Sequence, residues 1–207
     1  MKIFLTGSSG FIGFHLSKKL LDKGHNVHGF DSMNNYYDVK LKKKRYKILS
    51  TYKNFLFTKG NIENRKNLSK TILKFKPKII IHLAAQAGVR YSIDKPRVYL
   101  DSNITGTYNI IELAKKVNVK HLLIASSSSV YGANTKLPFK ENDKTETQLS
   151  IYAATKKSTE SIAHSYSNIW KIPITMLRFF TVYGPWGRPD MALFKFTKGI
   201  LNKKKID

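Results

Sequence analysis

Six short apolar runs recur along the chain, with stretches of helical spacing between them. The runs are Ile3 to Thr6, Asn26 to Asp31, Asn54 to Lys59, Lys78 to Leu83, His121 to Ser126 and Pro173 to Phe179. Each has the length and the aliphatic or aromatic content of a strand. Lys78 to Leu83 is almost continuously apolar, as a strand buried on both faces should be. After the first run, Ile12, Leu16 and Leu20 fall on one helical face. Further helices are predicted over Val39 to Leu49, Asn64 to Phe75, Val98 to Val117 and Ile151 to Trp170, with Pro77 ending the second of these. Gln86 to Pro96 reads as a loop and Leu137 to Leu149 as a polar surface excursion. Strands that alternate with helices imply an α/β fold, a parallel sheet covered on both faces. A chain of 207 residues buries one sizeable core, so one domain, or one domain and a fragment of a second, is expected.

The turn after the first run is glycine-rich: Gly7-Ser8-Ser9-Gly10-Phe11-Ile12-Gly13. A strand, a glycine turn and a helix in that order form a phosphate cradle. Gly7 permits the tight turn, Gly10 lets the backbone approach a pyrophosphate, and Gly13 lets the helix pack on the strand. The spacing is G-x-x-G-x-x-G rather than G-x-G-x-x-G, so alone it is also compatible with a plain strand–helix turn. Asp31 lies 18 residues beyond Gly13, at the end of the second strand. An acid there accepts both ribose hydroxyls and repels a 2′-phosphate, which favours NAD over NADP. The basic cluster Lys42-Lys43-Lys44-Arg45 keeps a 2′-phosphate as the minority reading.

Composition narrows the class. Hydrophobic residues at 42% exclude wholesale disorder. No run approaches the length of a membrane span, and the chain opens on a core strand rather than a leader, so no membrane partner is expected. Without cysteine there is no disulfide, thiolate metal site or cysteine nucleophile, and a cytoplasmic enzyme fits. The formal charge of +24 suggests nucleic acid, but 31 of the 37 basic residues are lysines scattered over nearly every helix. Base readout and phosphate forks favour arginine, so solvated lysine faces are the better reading and no nucleic-acid partner is expected. His82, inside the fourth run, reads as a packed core histidine; no metal site is expected.

The fifth run leads into Ser127-Ser128-Ser129, and Tyr152-Ala-Ala-Thr-Lys156 begins 25 residues beyond Ser127. Four residues apart on a helix, Tyr152 and Lys156 share a face. An ammonium beside a phenol favours the phenolate and lowers its pKa, giving a base usable near neutral pH. A serine at an adjacent strand end can orient a substrate hydroxyl. Each piece has an ordinary structural alternative; their order along the chain carries the weight.

With these residues in place, the chain resembles the extended short-chain dehydrogenase/reductase superfamily and, within it, nucleotide-sugar 4-epimerases of the UDP-glucuronate 4-epimerase type. The matching stretches are residues 4–16, 34–45, 82–92, 101–107, 125–132, 152–160 and 178–198, which together span nearly the whole chain. The resemblance implies a Rossmann-like doubly wound parallel sheet with only the start of a substrate-binding cap. Residues 1–180 would form the NAD-binding domain with the catalytic residues, and 181–207 the start of an incomplete substrate region. The implied reaction is oxidation of a UDP-sugar at C4, rotation of the 4-keto sugar and return of hydride to its other face. By the same resemblance Tyr152 is the base, Lys156 its electrostatic partner and ribose anchor, and Ser127 the hydroxyl-orienting residue. Gly7, Gly10, Phe11, Ile12, Gly13 and Asp31 hold the pyrophosphate and adenosine of NAD; Asn61, Ile62, Leu83, Ala84, Ala85 and Asn103 line the rest of the groove.

Related dehydratases carry an Asp-Glu pair at the positions of Ser128-Ser129, and related decarboxylases a glutamate near Ser129. Their absence favours epimerisation. Gln86, Arg90, Ser127, Ser128, Thr181 and Arg188 are assigned to the substrate, with the hydroxyls and a basic group receiving a sugar carboxylate by charge-assisted hydrogen bonds. For Arg188 a loop ion pair is an equal alternative. Asn61 departs from the family's aspartate and still offers a side-chain oxygen to adenine. The chain also stops where family members continue, which suggests a C-terminally truncated form that binds NAD better than it turns over. The competing readings are a UDP-glucose 4-epimerase and a non-catalytic NAD-binding module. The long helices 98–117 and 151–170 offer the faces of a homodimer, as in the family.

Overall fold

The computed structural model describes residues 1–205; the last two residues of the expected incomplete cap, 206 and 207, lie outside them. Six strands form one sheet: β1 (Lys2–Thr6), β2 (Asn26–Asp31), β3 (Phe55–Lys59), β4 (Ile79–His82), β5 (His121–Ser127) and β6 (Ile174–Phe179). Every pairing is parallel and the order is β3-β2-β1-β4-β5-β6. The chain winds outward from β1 in one direction and then from β4 in the other. The crevice between their carboxyl ends is therefore the topological switch point, where ligands bind in such sheets.

Alternate residues of the central strands supply two cores. Phe4 and Ile80 face α3 (Arg65–Phe75), α6 (Thr107–Lys116) and α7 (Ile151–Trp170), packing with Leu68, Ile72, Ile110 and Ala163. Ile3, Leu5 and Ile81 face the other way, against Phe14 and Leu21 of α1 (Phe11–Asp22) and Leu49 of α2 (Val39–Leu49). This is the period-2 burial of a sheet covered on both faces. The caps agree with the sequence: Ser150 accepts from the Ala153 N–H at the start of α7, and Asn64 accepts from the Asn67 N–H at the start of α3.

Three sequence expectations need correction. The α1 face against the sheet is Phe14, Ser17 and Leu21; Ile12 is half-buried, and Leu16 and Leu20 pack at the rim. The helix is rotated because Gly13 must press against the turn, which brings Phe14 and Ser17 inward. The predicted loop from Gln86 to Pro96 contains a short helix, α4 (Tyr91–Asp94). The predicted helix over 98–117 is three segments: α5 (Pro96–Tyr99), a π-helical turn (Leu100–Gly106) and α6. The wider turn inserts a residue, so a single 3.6-residue period cannot describe the stretch, and π turns of this kind accompany functional sites. The final helix, α8 (Ala192–Leu201), buries none of its residues.

At Gly13 an added Cβ would stand 2.0 Å from the Gly7 carbonyl oxygen, a backbone atom that cannot step aside. Gly13→Ala is expected to destabilise the chain by roughly 2–4 kcal/mol through overpacking and a displaced α1. Urea unfolding followed by circular dichroism measures it.

Candidate active site

The glycine turn sits at the carboxyl end of β1. Gly7 has φ of +74°, and its N–H donates to the Phe30 carbonyl at 2.7 Å. The Gly10 N–H donates back to the Gly7 carbonyl at 2.9 Å, closing the turn. At Gly10 an added Cβ would meet only that carbonyl, so the outer side of the turn is open to a ligand. No side chain caps α1, and the backbone N–H groups of Phe11, Ile12 and Gly13 have no acceptor among the described residues. The buried Ser8 and Ser9 hydroxyls also lack partners. A helix N-terminus of this kind, with free donors and the positive dipole end, is an anion site.

Asp31 is buried beside the turn. One carboxylate oxygen accepts from the Ser9 N–H at 3.0 Å and the other from the Met33 N–H at 2.8 Å. These bonds fix the carboxylate while leaving lone pairs for a diol. The basic cluster of α2 is only partly a solvated face, which corrects the reading of it. Lys42 donates to the Asn34 carbonyl and side chain at 2.8 and 2.7 Å and lies over the Tyr37 ring, and Arg45 is fully buried. Neither is free to hold a 2′-phosphate.

The β4 end meets the turn closely. An added Cβ on Gly7 would stand 2.9 Å from the Ala84 nitrogen, which itself donates to the Thr6 hydroxyl at 3.1 Å. Leu83, Ala84 and Ala85 are half-buried there. His82 lies beneath them, bonded to Thr6 at 2.7 Å and Thr107 at 3.0 Å, and burial pushes its pKa down to about 3. It is the packed core histidine expected, and no metal-binding cluster occurs among the described residues. Ile62 packs into the core against Gly106, so its side chain does not line an open groove. Asn61 is exposed. The Asn103 side chain turns inward from the π-helical turn. It accepts from the Gln86 N–H at 2.8 Å and donates to the Gln86 carbonyl and the Thr155 hydroxyl, both at 3.1 Å. Asn103 thereby joins the loop after β4 to the first turn of α7, and Gln86 is held by its backbone.

Ser127 ends β5 and Tyr152 and Lys156 share one face of α7, as the spacing predicts. Burial raises the pKa of the Tyr152 phenol, against a smaller lowering by the Ser127 hydroxyl and the positive charge of Arg188; the Ser127 hydroxyl itself donates to the Ser129 hydroxyl and accepts from the Ser129 N–H, both at 3.2 Å. The expected pairing with Lys156 is not the one present. The Lys156 ammonium donates to the Ala125 carbonyl at 2.8 Å, and burial pushes its pKa down to about 8 against the opposing pull of Glu160. The reason is desolvation: a buried amine takes the nearest acceptor, here a strand carbonyl. Arg188 realises the ion-pair alternative, forking onto Asp190 with one bond of 3.0 Å and a second, shorter one. Ser128 is half-buried, and Thr181 and Arg90 are exposed with no side-chain bond among the described residues.

Two further residues shape the site. Tyr99 is fully buried; its hydroxyl donates to the Ala87 and Gly88 carbonyls and its ring lies edge-on to Tyr152, 6.1 Å away. Glu160, four residues after Lys156, accepts from Ser126 at 2.6 Å and from the Arg178 fork at 3.0 Å. The i, i+4 spacing from Lys156 was the available signal for Glu160. Tyr99 had none, because the π turn hides its face.

The NAD dependent epimerase/dehydratase family matches residues 3–207. Over its whole length the chain is 57% identical to Protein CapI of Staphylococcus aureus and 53% identical to a probable UDP-glucuronate 4-epimerase of Rhizobium meliloti, covering 62% and 61% of those proteins. The crystal structure of UDP-glucuronic acid 4-epimerase from Bacillus cereus in complex with UDP-glucuronic acid and NAD superposes on 99% of the chain with a TM-score of 0.92 and 36% identity. This chain covers 64% of that one. The chain thus spans about three fifths of the length of the relatives it matches.

Lys156 generates a stability prediction. Its folded pKa lies below the unfolded value of 10.5, so at pH 7 the buried ammonium is unfavourable. Lys156→Met is expected to stabilise the fold at pH 7 by on the order of 2 kcal/mol, a rise in Tm of roughly 4–8 °C. Between pH 8 and 10.5 the unfolded chain binds more protons at this site than the folded one, so the parent gains stability with rising pH and the difference shrinks. Thermal melts of both chains from pH 6 to 10 check the sign.

Proposed function

Because the chain belongs to the NAD dependent epimerase/dehydratase family, we propose that its residues carry NAD-dependent epimerisation at C4 of a UDP-sugar, UDP-glucuronate to UDP-galacturonate. The observation that carries this reading is the pairing at the carboxyl end of the central strands. An anion-binding glycine turn with its diol acceptor Asp31 stands at the switch point, and the Ser127, Tyr152 and Lys156 side chains gather across it. Residues 1–180 are proposed as the cofactor domain and 181–207 as the start of a substrate region. The chain is proposed to be cytoplasmic; among the described residues no helix is long and apolar enough to cross a membrane. A homodimer is proposed through α6 and α7, which leave Tyr108, Ile169 and Trp170 exposed.

The free N–H groups of Phe11, Ile12 and Gly13 would hold the pyrophosphate, and Asp31 the adenosine ribose. NAD, when bound, supplies a reversible hydride acceptor for the sugar carbon. Tyr152 takes the proton of the 4-hydroxyl, with Ser127 orienting that hydroxyl and sharing its hydrogen bond. The raised phenol pKa must fall for this to run near neutral pH. Two cations stand within reach: Arg188, whose charge already acts on the phenol, and Lys156, one helical turn along. Leaving Ala125 for the ribose and phenol would give Lys156 its role as anchor and electrostatic partner. The tyrosine returns the proton when hydride comes back to the opposite face, so no net redox change occurs.

The sugar carboxylate would be received by Ser128, Thr181 and Arg188, with Arg188 exchanging Asp190 for the substrate. The existing Arg188–Asp190 pair also favours a second reading, a UDP-glucose 4-epimerase in which the arginine stays in its ion pair. A UDP-glucose 4-epimerase from Thermotoga maritima superposes with a TM-score of 0.89 at 29% identity.

Incubation with NAD and each UDP-sugar, followed by NMR of the anomeric protons, tests the reading. UDP-galacturonate is expected from UDP-glucuronate, and Tyr152→Phe should retain NAD affinity while losing roughly 10²–10⁴-fold in rate. Conversion of UDP-glucose alone would favour the second reading, and NAD binding without conversion of either sugar would leave a binding module.

A further inference from the structure

Among the described residues Arg45 is the largest fully buried side chain. It lies in the middle of α2. One terminal nitrogen donates to the Ser9 carbonyl of the glycine turn at 3.0 Å and to the Tyr37 hydroxyl at 2.8 Å. The other donates to the Trp186 carbonyl and, at 3.2 Å, to the Gly187 carbonyl. Among the described residues its Nε has no partner, and no carboxylate is among its hydrogen-bond partners. A desolvated guanidinium held only by neutral acceptors is a costly way to stabilise a fold, and an apolar side chain would serve packing better. Its fork does what an apolar group cannot: it fixes two distant backbone segments at once.

The far segment shows the effect. Trp186 has a φ of +60°, a left-handed backbone that a bulky residue adopts only when its surroundings impose it. Arg45 holds the carbonyl of that residue. The same segment also touches α1: His15 bonds the Pro185 carbonyl at 2.8 Å, and Phe14 lies 5.7 Å from the Trp186 ring. Arg188 follows two residues later, over the ring of Tyr36, which adjoins Tyr37.

We infer that Arg45 is a positioning residue that ties the glycine turn to the Trp186–Gly187 backbone, so that a dinucleotide on the turn and the stance of Arg188 are linked. The Ser9 carbonyl is the shared part. The N–H of the same residue donates to Asp31, so a ligand that fixes the turn and Asp31 also fixes the acceptor on which Arg45 pivots. The dinucleotide in this link rests on the proposed function; the tether itself does not.

Trp186 reports on the segment directly. It and Trp170 are the two tryptophans of the chain, so Trp170→Phe leaves it as the sole emitter. In that background NAD is expected to lower acrylamide quenching of Trp186 by about twofold. With Arg45→Lys added, quenching should start higher and NAD should still bind by calorimetry but no longer change it. A purely structural role would weaken binding and leave the response intact in whatever fraction binds. His15→Ala, which cuts the other tether, should keep the response. Tyr37→Phe, which loosens Arg45 without removing it, should shift quenching in the same direction by less, and it carries the test if Arg45→Lys fails to fold. Parent-like quenching and a parent-like NAD response in both the Arg45→Lys and Tyr37→Phe chains would overturn the inference. If the parent itself binds no NAD, the proposed function fails, while the quenching of the ligand-free chains still decides whether Arg45 is the tether.

Discussion

The contact between Gly13 and the Gly7 carbonyl is the constraint from which the site is built. A Cβ at Gly13 would stand 2.0 Å from that oxygen, so α1 can lie directly on the turn only because there is none. That approach aims the free end of α1 at the crevice beside β4 and turns Phe14 and Leu21 into the core. The turn then serves as a junction. Its Gly7 N–H is held by β2, its Ser9 N–H by Asp31, its Ser9 carbonyl by Arg45, and its flank rests against Ala84 of the β4 end. Three separate parts of the chain, β2, α2 and the end of β4, take their positions from seven residues.

Opposite the turn, the electrostatics are arranged in tension. Lys156 is buried and Tyr152 half-buried, and desolvation drives each toward its neutral form, raising the phenol and lowering the amine. Each cation near the phenol is engaged elsewhere, Lys156 by the Ala125 carbonyl and Arg188 by Asp190. A site of this kind is unfavourable for the fold and favourable for a reaction, because a ligand that brings new acceptors and charge can release both cations toward the phenol. Glu160, clamped by Ser126 and Arg178, opposes the fall in the Lys156 pKa.

The strands were legible because a parallel sheet covered on both faces needs continuous apolar runs such as Ile79 to His82 and Leu122 to Ala125. The α7 pairing of Tyr152 and Lys156 was legible because both lie on one uninterrupted helix. What could not be read were the places where a local rule yields to a tertiary one. The π-helical turn breaks the period between Tyr99 and Thr107, so the inward faces of Tyr99 and Asn103 do not register as one stripe. Arg45 and Lys42 share the face of Leu49 on α2 and are buried with it, although charge alone assigns them to solvent. The resting partners of Lys156 and Arg188, a backbone carbonyl and an aspartate two residues away, depend on the fold and leave no pattern in the sequence.

The proposed epimerisation requires hydride to leave and return to the same sugar carbon. UDP-glucuronate carrying deuterium at C4, turned over in ordinary water with NAD and analysed by NMR and mass spectrometry, measures this directly. UDP-galacturonate is expected with the deuterium still at C4 and the configuration there inverted. Loss of the deuterium to water during inversion would contradict the proposed epimerisation, because the proton chemistry would then take place at the carbon rather than at the hydroxyl that Tyr152 serves.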